Sequence, residues 1–169
     1  NGSYDVESVS ETISPSMDIQ IASNFERLIF DLNDQNDEKT IEVMKGIKEK
    51  GKYEINKENL DKINVDFLSS RMNENEVLDT IKTVYEKFDK VLDPHSAIGY
   101  GAFDKLNLKG NNIVIATAHP CKFPSAIEKA ISIKAELPDE LLFILDEKEN
   151  YDIIDNDLNK IKQHIKERI

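Results

Sequence analysis

The stretch Ile113-Val-Ile-Ala-Thr-Ala-His-Pro-Cys-Lys-Phe-Pro124 decides the fold of this chain. Its first five residues form a continuous apolar run ending in a hydroxyl, which predicts a strand buried on both faces. Pro124 sets φ at a helical value and so starts a helix, running to about Ser132. A strand leading straight into a helix is the unit of a parallel α/β sheet. Between the two sit Thr117, His119, the single cysteine Cys121 and two prolines. That crowd is either a strand-to-helix turn and nothing more, or one wall of an active site.

Working upstream, Asp93-Pro94 pairs an N-cap residue with proline at the first helical position, and Ile98, Ala102 and Leu106 follow along that helix. Asn73 and Glu76 have capping-box spacing, and the helix they open carries Val77, Leu78, Ile81, Val84, Tyr85 and Phe88 on one side. Val65-Asp-Phe-Leu-Ser-Ser70 reads as a strand. Before it the chain is mainly helical. Apolar residues at Ile21, Phe25, Leu28, Ile29 and Leu32 predict a helix over about 17–32. A second spans about 38–50 and stops at Gly51, a short strand lies near Tyr53-Glu-Ile55, and a short helix covers about 57–63. Downstream, a short helix at 138–145 and a terminal one at about 157–168 close the chain. The expected division is a mainly helical part at 1–64, an α/β part at 65–135 and a helical extension at 136–169. In parallel α/β sheets ligands bind beyond the carboxyl ends of the strands, where Thr117 and Asp93 both fall.

Composition narrows the function classes. A net charge of −11 repels nucleic acid and anionic membranes, so neither is expected as a partner. No apolar run approaches the roughly 20 residues of a membrane span, and no secretory segment opens the chain. One cysteine excludes an internal disulfide and fits a reducing compartment, so a cytoplasmic setting is expected. The chain opens on Asn1-Gly2 rather than methionine, which reads as a processed protein or a piece of a longer one. Its six glycines form no phosphate-cradling loop.

Each candidate residue has a plain structural counterpart. Thr117 either presents its hydroxyl to a ligand or is a β-branched strand residue. His119 and Cys121, two apart, would share a side in an extended strand and form a thiol–imidazole pair, but no third group is implied to orient them. His95, His119 and His164 lack ligand spacing and one cysteine makes no thiolate site, so no metal is expected. Asp93-Pro-His-Ser96 either lines a pocket or merely starts a helix. The charge runs at 45–52 and 160–168 are solvated faces. On these residues alone the chain is either part of an enzyme or an acidic, non-enzymatic α/β protein-interaction module.

Three separated stretches together carry a more specific signal. Ile13-Ser-Pro-Ser-Met-Asp-Ile19 with Ser23-Asn-Phe-Glu-Arg27, then Leu92-Asp-Pro-His-Ser-Ala-Ile-Gly99, then Ala116-Thr-Ala-His-Pro-Cys-Lys-Phe-Pro124 resemble, in order, segments of the threonine synthase family. The resemblance covers most of the chain and only the C-terminal part of that enzyme. It implies the tryptophan-synthase-β-like fold type II of pyridoxal-phosphate enzymes, a parallel three-layer sheet flanked by helices. It also implies conversion of O-phospho-L-homoserine and water into L-threonine and phosphate.

For Thr117 the resemblance implies a place against the pyridine nitrogen of pyridoxal 5'-phosphate. An aspartate there would hold a proton on the nitrogen, whereas a threonine hydroxyl donates to a neutral nitrogen and leaves the ring less electron-hungry. Asp93, His95, Ser96, Ala118 and His119 are implied to line the pocket, and Lys122 belongs to the same wording without an assigned step. Cys121 stands where the family has alanine, a change of small residue for small residue. The family's Schiff-base lysine and its phosphate-binding loop lie in the N-terminal half and have no counterpart here. The implied partner is therefore the N-terminal part of the same enzyme, and the segment alone is expected to be inactive.

Overall fold

The computed structural model describes residues 2–169, in two compact units that divide after Ala135. The first unit opens with strand β1 (Ser3–Asp5), which pairs antiparallel with β2 (Lys52–Glu54) in the register Ser3↔Glu54, Tyr4↔Tyr53, Asp5↔Lys52. Tyr4 reaches from β1 to the following loop. Its hydroxyl donates to the Gln20 carbonyl at 2.6 Å, accepts from the Ala22 N–H at 3.1 Å, and its ring stacks on Phe25.

Helix α1 (Phe25–Leu32) packs on α2 (Asp37–Lys50), and each buries one isoleucine, Ile29 and Ile47. Helix α2 stops where its sequence predicts, and its start is capped. Asn36 accepts from the Lys39 N–H at 2.9 Å, acidic residues fill the first turn, and Gly51 closes the helix with φ of 70°. Helix α3 (Lys57–Asp66) follows, capped by Asn56.

The core that supports the site is built from α4 (Glu74–Phe88), α5 (Pro94–Leu106) and α6 (Pro124–Ile131). Helix α4 packs on both others, and Val77, Ile81, Ala97 and Ile127 form its buried centre. Ile13, Met72, Val91, Leu92, Ile98, Ala130 and Ile131 pack round that centre, so the segment before Pro15 is already tied to α4 and α5. The Asn73–Glu76 capping box is complete, at 3.0 Å and 2.8 Å. Gly101 is buried where α5 meets α4. A Cβ there would fall 3.2 Å from Thr80 Oγ1 and inside the Met72 side chain, so glycine permits the close approach.

Three local expectations are corrected. Residues 18–24 are not helical, because the turn that Pro15 opens ends at Met17. Asp18 then folds its carboxylate back onto the Thr12 N–H and Oγ1, at 2.7 and 2.8 Å. Residues 65–70 are not a strand. No glycine or proline interrupts α3 before Asp66, so the helix runs on, and Phe67 and Leu68 are exposed beyond it. Residues 113–117 run outside any ladder and are not buried on both faces. Ile113 is 88% and Ile115 69% exposed. A strand acquires buried faces only from neighbours, and β1 and β2 form the only sheet among the described residues.

The second unit holds a 3-10 segment, Asp139–Leu145, and helix α7 (Leu158–Lys166), capped by Asp157. Neither buries a residue, and Leu141 to Leu145 are all exposed. Among the described residues no helix is long and apolar enough to cross a membrane.

Candidate functional site

The site is organised by one carboxylate. Asp93 is the N-cap of α5, 1% exposed, and its Oδ1 accepts from the His95 N–H at 2.9 Å and the Ser96 N–H at 3.4 Å. These bonds satisfy orphan donors at the helix start, the ordinary duty of an N-cap aspartate. The other partners exceed that duty. The His95 ring lies with Nδ1 3.0 Å from the same oxygen, and Ser96 Oγ donates to Oδ2.

From this hub two links reach distant sequence. The Ser16 N–H donates to His95 Nε2 at 3.2 Å, and a backbone N–H only donates, so Nε2 must be the acceptor. The proton therefore sits on Nδ1, pointing at Asp93. His95 is a neutral bridge between Asp93 and the stretch containing Ser14-Pro-Ser16. The Thr117 N–H donates to Ser96 Oγ at 3.0 Å, which ties the end of residues 113–117 to α5. The Phe123 ring completes the cluster, with its centroid 4.8 Å from that of His95.

Thr117 itself is exposed, and among the described residues nothing hydrogen-bonds its hydroxyl. Its backbone is fixed while its side-chain donor is free, which suits a residue that presents a hydroxyl to a bound group. Ala118 follows it, half-buried. His119 turns its Nδ1 to the Cys121 N–H at 3.2 Å and caps the short 3-10 segment Pro120–Lys122. The imidazole thus meets the cysteine's backbone, and no thiol–imidazole hydrogen bond forms among the described residues. No cluster of three or more metal-ligating side chains occurs among the described residues.

The sequence reading named Asp93, His95, Ser96 and Thr117 but not Ser16 or Phe123. Both lie inside the quoted motifs. Ser16 joins through its backbone and Phe123 through a ring contact, and neither leaves a spacing signal.

Electrostatics follow from the same geometry. Burial pushes the Asp93 carboxyl upward, but hydrogen bonds from Ser96, the His95 ring and their two N–H groups outweigh it and leave the group below the ordinary carboxylate range. In the unfolded chain it titrates near the usual value of about 3.9. As pH falls below that value the unfolded state takes up the proton first. The Asp93 contribution is therefore fully present above about pH 4 and disappears as pH drops through the folded-state value. The stability difference between the wild type and Asp93→Asn, from urea midpoints between about pH 6 and 2.5, is expected to be constant above pH 4 and to shrink below it. A difference that stays constant through the acid range would show that the carboxylate charge contributes nothing.

A family model described as "Threonine synthase, C-terminal" matches residues 96–165. The chain is 34% identical to threonine synthase of Pseudomonas aeruginosa, covering 96% of this chain and 35% of that protein. It is also 34% identical to threonine synthase of Saccharomyces cerevisiae, covering 95% of this chain and 36% of that one. A crystal structure of PLP-bound threonine synthase from Brucella melitensis superposes with a TM-score of 0.83 at 35% identity, over 98% of this chain and 36% of that chain. The yeast threonine synthase structure gives 0.79 at 33% identity. The chain thus spans about a third of the length of the relatives it matches. Over nearly its whole length the chain thus matches the C-terminal region of threonine synthases, and it shares their type II pyridoxal-phosphate-enzyme fold.

Proposed function

We propose that this chain supplies the ring-nitrogen side of the active site of a pyridoxal-phosphate-dependent threonine synthase, which converts O-phospho-L-homoserine and water into L-threonine and phosphate. The observation that carries the proposal is the state of Thr117. Its backbone is anchored to a buried network, and its hydroxyl is exposed without a partner among the described residues. A group that needs one hydrogen-bond donor fits that position.

When bound, pyridoxal phosphate acts as an electron sink for bonds at the substrate's α-carbon. The Thr117 hydroxyl donates a hydrogen bond to the ring nitrogen and transfers no proton to it, because an alcohol is far too weak an acid. The sink is thereby tuned for elimination and replacement at the side chain. Ala118 and His119 line the same wall. The covalent lysine and the phosphate-binding loop are assigned to the N-terminal part of the enzyme, which is the partner this region needs. The expected setting is the cytoplasm.

The test uses the whole protein that carries these residues. With pyridoxal phosphate it is expected to develop a visible cofactor band and to release phosphate from O-phosphohomoserine, while residues 1–169 alone do neither. A whole protein that binds the cofactor and releases no phosphate would exclude the reaction. Thr117→Val is expected to shift the band and lower kcat by roughly tenfold or more.

A further inference from the structure

Residues 113–117 are held in an unusual way. Among the described residues their backbone makes one hydrogen bond, from the Thr117 N–H to Ser96 Oγ. A second restraint is steric. Val114 Cγ1 lies 3.5 Å from where a Cβ on Gly99 would stand, so the segment runs antiparallel along α5, with 117 beside 96 and 114 beside 99. The Gly99 restraint sets distance, whereas only the Ser96 bond fixes the height of Thr117 along α5.

The direction of every bond in this link is determined. The Thr117 amide can only donate and a carboxylate only accepts, so Ser96 Oγ accepts from the first and donates to the second. Bonds that run donor to acceptor in one direction strengthen one another, and here they end on a charge. Asp93 cannot turn away, since its other oxygen is held by the N–H groups of α5 and by His95, which is itself held by Ser16. Ser96 is 2% and Asp93 1% exposed, so neither side chain lies open to a ligand.

We propose that Ser96, backed by Asp93, is a positioning residue. It sets the place of the Thr117 hydroxyl through the Thr117 backbone and does not touch the cofactor. This rests on Thr117 facing the cofactor ring, and the experiment separates the two claims. In the whole cofactor-loaded protein, Ser96→Ala is expected to speed amide hydrogen exchange at Thr117 by about tenfold or more. It is expected to lower kcat roughly ten- to a hundredfold, with KM changed less than about threefold. The cofactor band should move in the direction that Thr117→Val moves it. Ser96→Thr, which keeps the hydroxyl, should restore all three readouts. If Ser96→Ala does not fold, Ser96→Cys keeps the volume and weakens the bond.

Unchanged exchange at Thr117 in the folded Ser96 variant overturns the positioning claim, whatever the band does. An unmoved band in Thr117→Val overturns the Thr117 contact instead, and exchange then decides the positioning claim alone.

Discussion

Asp93→Ala is expected to destabilise the protein by about 3–5 kcal/mol, enough to threaten folding of a typical marginally stable domain. Four donors converge on this carboxylate: two backbone N–H groups, the His95 Nδ1–H and the Ser96 hydroxyl. Loss of an N-cap aspartate alone costs about 1 kcal/mol. The remainder comes from buried donors left without acceptors, at about 1–3 kcal/mol each before relaxation. Asp93→Asn is expected to cost less, about 1–2 kcal/mol. Its carbonyl oxygen still accepts from the helix start, but its amide faces Ser96 with a donor. Ser96 Oγ then accepts twice and its own hydrogen loses a partner. Urea midpoints at pH 7 measure both. A cost for Asp93→Ala below about 1 kcal/mol would show that the convergence adds nothing to a simple cap.

Ile81→Ala is the second large effect, expected at about 4 kcal/mol. Ile81 is fully buried in α4 and belongs to one cluster with Ala97 of α5 and Ile127 of α6. Neighbours on both sides keep α4 from collapsing into the space left, so the cavity term adds to the lost transfer energy. Leu68→Ala is the control. Leu68 is 68% exposed, and its loss is expected to change stability by less than about 0.5 kcal/mol. Equal costs for the two substitutions would contradict the burial that the fold assigns.

What was legible in the sequence was local. The Asn73–Glu76 box, the Asp93–Pro94 start and the Gly51 stop each involve residues within a few positions, and each residue does what its spacing predicts. The errors arose where a distant partner decides. Residues 113–117 have a strand's composition, yet pairing depends on neighbours that a run of five residues does not encode. Residues 65–70 have β-branched and aromatic members, but a capped helix without a breaker simply continued into them. The site divides the same way. Asp93 and Ser96 were visible as a helix start, whereas the links from Ser16 to His95 and from Thr117 to Ser96 join stretches whose separation hides the connection.

The convergence on Asp93 also orders events in time. His95 and Ser96 lie two and three residues from the carboxylate, so those bonds close with the first turn of α5. The Ser96–Thr117 link spans 21 residues and the Ser16–His95 link 79, and closing such loops carries an entropy cost that local turns avoid. The cap thus belongs to the early steps of assembly, and the two long links fasten last. Changes to the cap should slow folding, whereas loosening either long link should chiefly shorten the lifetime of the native state.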